Sequence, residues 1–323
     1  MKRILCIGPE WRGSNANGLF KALSRVGNAI SVIDEFYYLN LRGKSFLSKT
    51  ISKFSRNLQI TDFNKAIIEE ANYFTPDLVL VYKGAFVKPE TIISLKKSFG
   101  QVVNFYPDVS FRTHGSLLAQ TLPLYDKVFT TKTFGIKDME KQLGQKNGFF
   151  IPHGFDPDIH KPLSLNNPDL KNIFECDASF IGTWSPHKEK TLSTIKHILP
   201  DLNLKIWGAQ WGKSKSQNLL KSIQNKSVTG DLYSLAINAS KLNLAILSEK
   251  VTGASSGDKI TSRTFHIPAA KGCMLHQASE EIDTYFENGK EMLTFESAED
   301  LAQKINQLLN DENFRQSITN AGH

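Results

Sequence analysis

Short apolar runs that stop at a glycine or an acidic residue, each followed by a stretch with helical spacing, recur along the whole chain. Ile4-Leu5-Cys6-Ile7 stops at Gly8, and the run over 29–33 stops at Asp34. Runs this short are poor candidates for buried helices and read as strands buried on both faces. Further strands are expected at 78–82, 102–106 and 127–131. Helices are expected at 19–26, with Leu19, Phe20, Leu23 and Val26 on one face, at 62–72, and at 89–99 with Pro89 in the first turn. A basic, serine-rich stretch spans 42–56. Strand and helix in alternation imply right-handed crossovers and a parallel sheet.

The rhythm breaks once. Ile151-Pro152-His153-Gly154-Phe155-Asp156-Pro157 is rich in turn formers, and loop-like sequence runs on to 169. It then restarts, with strands at 178–181 (ending at Gly182), 204–207 (ending at Gly208), 242–247 and 274–275, and helices at 188–199, 231–239, 262–270 and 298–309. At about 150 residues per domain, 323 residues accommodate two domains, 1–152 and 153–323, of doubly wound α/β class. With 40% apolar and 22% charged residues, the chain can bury sizeable cores, which excludes intrinsic disorder. Thirty-nine Lys and Arg against 32 Asp and Glu leave +7, a surplus suited to phosphates or an anionic membrane surface. No long Lys/Arg run points to nucleic acid. Cys6, Cys176 and Cys273 lie too far apart for a CxxC pair or a disulfide framework. Four apolar residues after Met1-Lys2-Arg3 make no secretion signal, and no apolar run is long enough to span a bilayer, so a cytoplasmic location is expected.

Several familiar motifs fail on spacing. The loop from Gly8 to Gly18 is glycine-rich, but its first two glycines are five apart and Asp34 follows Gly8 by 26 residues, a poor dinucleotide fingerprint. It reads as a plain turn or as a loop facing another ligand. Gly208-Ala209-Gln210-Trp211-Gly212-Lys213-Ser214 has one residue too few for a P-loop and reads as a turn. His114, His153, His187, His266 and His276 pair with no ligand at metal-binding spacing, and no GxSxG elbow marks a serine hydrolase.

Three segments carry more. Ser179 to Lys190 reads as strand, glycine turn and helix start, with Lys188 and Lys190 in the first turn. Cations oppose the helix dipole there, so their presence suits a bound diphosphate better than a bare helix. The second segment is Thr261-Ser262-Arg263-Thr264-Phe265-His266-Ile267-Pro268-Ala269-Ala270-Lys271-Gly272, and the third is Phe286-Glu287-Asn288-Gly289-Lys290-Glu291 followed by Ser297-Ala298-Glu299-Asp300-Leu301.

These segments resemble the C-terminal half of GT-B glycosyltransferases, most closely the spore-maturation CgeB-like group, with its FxGTWxPxR/K, RxFEIPAxGG and FxxGKE runs. Ile7-Gly8-Pro9-Glu10-Trp11, Asn104-Phe105-Tyr106-Pro107-Asp108, Tyr125 to Lys132 and Ile151 to Pro157 extend the likeness, in order, over nearly the whole chain. The resemblance implies two Rossmann-like domains facing a cleft, the first binding acceptor and the second a sugar nucleotide. Final helices would pack back on the first domain, and relatives continue past Gly322 with a crossing helix. It implies metal-independent sugar transfer with no cofactor beyond a nucleotide-sugar donor, a UDP-sugar by preference. The acceptor would be a glycan or related molecule in polysaccharide biosynthesis, with contact at the inner membrane face.

Residue by residue, the resemblance places Gly182, Thr183, Lys188, Arg263, His266 and Lys271 at the donor. Thr183 stands where the family often has Arg, and Arg263 would supply that charge. His266 replaces the Glu that holds ribose hydroxyls, so an imidazole titrating near pH 6.5 is expected to make donor binding depend on pH. Asp258 stands eight positions earlier, where family-4 enzymes carry another Glu near the transferred sugar. Lys271 stands where the group prefers Gly. Asp108 is a candidate base or charge stabiliser, or else a turn former. His114 is a second catalytic candidate. Glu10, Arg12 and Asn15 would touch acceptor. A hinge is expected at 152–157 and near the last helices. Two rivals stay open: a non-catalytic sugar-nucleotide or glycan-binding homologue, suggested by His266 and Thr183, and a Rossmann-type oxidoreductase binding nicotinamide at the first loop.

Overall fold

The computed structural model describes residues 1–39 and 46–323, with the side chains of 46–55 left aside. The chain divides into two units, Met1–Pro152 with Lys250–Ser256, and His153–Glu249 with Gly257–His323. It therefore passes between units three times, whereas the sequence suggests one boundary.

The first unit holds β1 (Arg3–Ile7), α1 (Asn15–Arg25), β2 (Ala29–Ile33), α2 (Glu35–Leu39), α3 (Phe46–Phe74), β3 (Leu78–Tyr82), α4 (Pro89–Phe99), β4 (Gln101–Tyr106), α5 (Leu117–Thr121), β5 (Lys127–Thr130), α6 (Thr133–Leu143) and β6 (Gly148–Phe150). Its six strands are parallel, in the order β2-β1-β3-β4-β5-β6. Successive residues feed opposite faces: Leu5, Ile7, Val79 and Val81 join one apolar cluster, and Ile4, Cys6, Leu80 and Tyr82 join another. A strand apolar at every position needs helices on both sides. Phe63, Ile67 and Ala71, one turn apart on α3, are fully buried on one of them. The segment 250–256 is tied down by Ser110 Oγ donating to Thr252 O at 2.7 Å and Gln142 Nε2 donating to Gly253 O at 2.8 Å.

The second unit holds α7 (Pro168–Phe174), β7 (Cys176–Ile181), α8 (Pro186–Ile198), β8 (Leu204–Trp207), α9 (Asp231–Asn238), β9 (Ser240–Ala245), α10 (Ser262–Ala269), β10 (Met274–Gln277), β11 (Leu293–Phe295), α11 (Ala298–Asn310) and α12 (Glu312–Gly322). Five parallel strands run β11-β10-β9-β7-β8. From the β8 edge this repeats the order of the first sheet's first five strands. In both sheets the chain goes first to one side and then to the other, giving switch points at β1/β3 and β7/β9. In such sheets, ligands bind outside the carboxyl ends of the strands at these points.

The structure departs from the sequence reading mainly in short or weakly patterned elements. Helix α1 begins at Asn15 because Ser14 caps it, its side chain accepting from Asn17 N, so Gly18 lies in the helix rather than the loop. Helix α7 interrupts the expected loop, capped by Asn167 with Pro168 in its first turn. Strands β6 and β11 have three residues each, too few to show a period. Of the basic stretch, 42–45 lie outside the described residues.

Candidate functional site

The carboxyl ends of β7 and β9 collect the donor-site candidates. Chain crowding explains the glycines. A Cβ on Gly182 would stand 2.9 Å from Arg263 Nη1, and one on Gly208 would overlap the Gly182 carbonyl. Helix α8 opens behind this turn, with Ser185 as cap and Pro186 as its first residue. Ser185 Oγ also donates to Glu249 Oε2 at 2.8 Å.

Lys188 points inward from the first turn of α8 and is buried. Its Nζ donates to Ser248 Oγ at 3.1 Å and to Thr183 O at 3.4 Å. Burial, then the Arg263 charge, lowers its pKa to about 8 against the opposing pull of Glu249 and Asp258. Arg263, from the start of α10, lies with its guanidinium carbon 5.2 Å from the Phe180 ring centroid. It donates through Nη1 to Ile181 O at 3.3 Å and through Nη2 to Ile246 O at 2.7 Å. Its Nε is buried with no hydrogen-bond partner in the protein. Burial lowers its pKa, while Tyr233 and Asp258 oppose the shift. Asp258 is held by its backbone N–H, which donates to Ser248 O at 2.8 Å. A capped helix N-terminus, a buried ammonium and a guanidinium with an unused donor thus meet at the switch point, an arrangement suited to a bound anion.

His266 lies one turn beyond Arg263 and is 6% exposed. Its ring stacks on His160, centroids 3.7 Å apart and planes 16° from parallel, and Tyr233 meets both rings edge-on at 5.7 Å. Burial, with His160 and His153 adding to it, holds His266 well below the usual imidazole range, against a hydrogen bond to the Gly154 backbone. The expected titration near pH 6.5 is therefore corrected: this ring stays neutral through the neutral range because burial disfavours its charged form. Burial likewise lowers His160 to about 4. Thr183 is exposed and contributes its carbonyl. Lys271 lies past the other end of α10, exposed, at φ +60°, with its N–H on Pro268 O. It occupies a left-handed turn of the kind glycine favours, and the structure does not group it with Arg263.

Glu189 has a different task. Its carboxylate accepts from Trp184 Nε1 at 2.6 Å, Ser214 Oγ at 2.9 Å, Lys215 N at 2.7 Å, and Ser216 N and Oγ at 2.9 and 2.7 Å. Partial burial would raise its pKa, but these bonds hold it at about 2. The near-miss P-loop is thereby pinned as structural turn; Trp211–Lys213 is a single 3-10 turn.

In the first unit, Asp108 follows β4. Lys83 Nζ stands 2.7 Å from its Oδ2, and His114 Nε2 is 3.6 Å from the same oxygen. His114 Nδ1 lies 3.2 Å from Ser110 O and 3.3 Å from Tyr106 Oη. Sequence reasoning did not identify Lys83. It sits at φ +63°, followed by Gly84 at φ +81°, with its carbonyl accepting from buried Asn104 Nδ2 at 3.1 Å. A non-glycine residue in the left-handed region costs about 1–2 kcal/mol, whereas a partly exposed ion pair returns about 0–1 kcal/mol. Stability alone does not account for the turn. Nearby Glu35 is buried, which raises its pKa to about 7 against the attraction of Lys83.

Glu10 and Arg12, between β1 and α1, and Asn15, the first residue of α1, are all exposed. Asp34, which a nicotinamide site would aim at ribose, instead accepts from Glu10 N at 3.3 Å and Phe36 N at 3.0 Å. His160, Tyr233, Ser185, Ser248 and Lys83 are the contributors that sequence reasoning missed. Ser185 lies inside the 179–190 segment at an unspecified position of its motif; the other four lie outside the motifs, and their positions follow from tertiary packing.

A family model described as glycosyl transferase-like matches residues 187–323. No curated protein matches the chain. Among solved structures, sucrose-phosphate synthase from Thermosynechococcus elongatus is similar with a TM-score of 0.65 at 12% identity, covering 100% of this chain and 93% of that one. HepE of Anabaena in complex with UDP-glucose is similar at 0.63 and 11%, covering 100% and 93%. A glycosyltransferase from Rickettsia africae is similar at 0.63 and 14%, covering 99% and 92%. The fold is thus that of two Rossmann-like α/β domains, shared with these GT-B proteins.

Proposed function

We propose that the protein is a glycosyltransferase that takes a sugar from a UDP-sugar and passes it to a glycan or similar hydroxyl acceptor. The observation that carries this reading is the meeting of the α8 N-terminus, Lys188 and Arg263 at the β7/β9 switch point, with both cations inside the segment matched by the family model. The complexes of HepE with UDP and UDP-glucose support a uridine diphosphate donor.

In the proposed reaction an acceptor oxygen bonds to the anomeric carbon as the bond to the diphosphate breaks. The transition state carries positive charge on the sugar and growing negative charge on the leaving phosphate. Lys188, Arg263 and the helix N-terminus stabilise the phosphate, the task otherwise given to a metal ion, so no metal is invoked. Asp108 takes the acceptor proton, and Asp258 sits by the sugar. Glu10, Arg12 and Asn15 bind acceptor. The first unit serves the acceptor and the second the donor, the chain hinging near 152–157. The CgeB-like subtype, a part in surface polysaccharide synthesis, and work in the cytoplasm at the inner membrane face complete the proposal.

A thermal-shift screen with nucleoside diphosphates and their sugars tests donor class, since a ligand that binds the native state raises the melting temperature. Release of UDP from a UDP-sugar, with and without glycan acceptors, tests catalysis. Binding without turnover favours the non-catalytic homologue, a reading that His266 in place of a carboxylate supports.

A further inference from the structure

Lys188 and Lys190 both stand near the start of α8, but two residues along a helix lie about 200° apart around its axis. Lys188 is buried with its Nζ on Ser248, whereas Lys190 is exposed. With Trp184, Ser193, Lys213, Lys215 and Ser216, Lys190 lines a cleft of about 540 Å³. Small-molecule sites commonly measure about 300–1,000 Å³. The cleft is lined by neither Lys188 nor Arg263.

Its walls are fixed. Glu189 Oε2 accepts from Trp184 Nε1, and Oε1 accepts from Ser214, Lys215 and Ser216, so one carboxylate ties the indole to 214–216. Both of its oxygens are thereby engaged. Three ammonium groups stand against this one carboxylate in the lining. The side chains of Lys190 and Lys215 have neither ion pair nor hydrogen bond among the described residues. Lys213 Nζ donates to Gln210 Oε1 at 2.7 Å and stands 5.5 Å from the Trp184 ring centroid, so cation and aromatic surface adjoin. A neutral sugar would leave the lysines uncompensated. A bare phosphate would leave the indole and most of the volume unused. A pyranose ring with an anionic group uses both: its apolar C–H face suits the indole, and its charge suits the ammonium groups.

We propose that this cleft binds a sugar unit carrying a carboxylate or phosphate. The proposal does not rest on the donor reading, and it gives Lys190 and the loop at 208–216 a shared task.

Nitrogen-15 NMR of the full chain, read at the Trp184 indole N–H and assigned by its loss in Trp184→Phe, tests this. Trigalacturonate and glucose 6-phosphate are the acidic probes; the methyl ester of the first and glucose are their neutral counterparts. At least one acidic probe is expected to shift the signal saturably, binding about fivefold or more tighter than its counterpart. Lys190→Gln combined with Lys215→Gln, both at exposed positions, is expected to weaken that binding about five- to thirtyfold, the worth of two partly exposed charge pairs. No shift with either probe, equal binding of the neutral sugars, or unchanged affinity in the lysine variant would overturn the proposal. Inorganic phosphate binding as tightly as the sugar would make this a bare anion site. A response to phosphatidylglycerol vesicles but not to sugars would make it a lipid surface, and displacement of the sugar by UDP would make it part of the donor site. Each of these three results also overturns the proposal. Failure of UDP to bind anywhere refutes the donor reading and leaves this test intact.

Discussion

The Arg263 guanidinium donates to the Ile246 carbonyl at 2.7 Å, just beyond the carboxyl end of β9. Its other terminal nitrogen reaches Ile181 at the end of β7, so one planar fork spans the switch point. Lysine has a single point charge and cannot span both carbonyls. Arg263→Ala is therefore expected to lower stability as well as weaken UDP binding by roughly 1.5–3 kcal/mol. Arg263→Lys should keep part of the charge but lose most of the affinity. Calorimetry and thermal unfolding on both variants check this; native affinity in Arg263→Lys would show that only charge matters.

Lys188 links pH to ligand binding. Burial and then Arg263 depress its pKa to about 8, below its ordinary 10.5. The folded state thus holds fewer protons than the unfolded state between these values, and the lysine's contribution to stability rises with pH across that window. Binding follows the opposite sign, because a diphosphate needs the ammonium. UDP affinity is expected to fall as pH climbs through about 8. Lys188→Met should bind weakly with no such fall. A native affinity flat from pH 7 to 9.5 contradicts the assignment.

Glu189 is a stability prediction. Its carboxylate organises 214–216 through hydrogen bonds that depress its pKa to about 2. The stabilisation is present above the ordinary value of 4.5 and is lost as pH falls toward 2. Glu189→Ala is expected to cost roughly 1.5–3 kcal/mol at neutral pH, the range for a charged hydrogen bond. Chemical denaturation at pH 7 measures it, and a loss below about 0.5 kcal/mol would show that these hydrogen bonds do not hold 214–216 in place.

Lys83 separates stability from activity. Lys83→Gly relieves the left-handed backbone and removes the ammonium beside Asp108. The two effects nearly cancel in stability, within about 1 kcal/mol, while transfer should be largely lost. Transfer at the native rate in a stable Lys83→Gly variant would show that Asp108 does not need the ammonium beside it.

The periodic elements were legible in the sequence. Strands β2, β3 and β8 and helix α4 fall where apolar spacing and a leading proline place them. Three-residue strands and α12 were not, because so few residues show no period and Arg315 stands buried where polarity suggests exposure. Of the residues expected at a donor, Gly182, Lys188 and Arg263 stand close together in the structure. Lys271 stands apart from these three, in an exposed left-handed turn past the end of α10. His160 and Lys83 were invisible because stacking and left-handed turns depend on partners far along the chain.

Hydrogen exchange on the full chain, with and without saturating UDP, tests the central claim most directly. The account predicts slowed exchange concentrated at 182–190, 246–249 and 258–266, around the β7/β9 switch point, and its loss in Arg263→Ala. Protection confined to the loop at 8–18, or none at all with UDP present in excess, would contradict it.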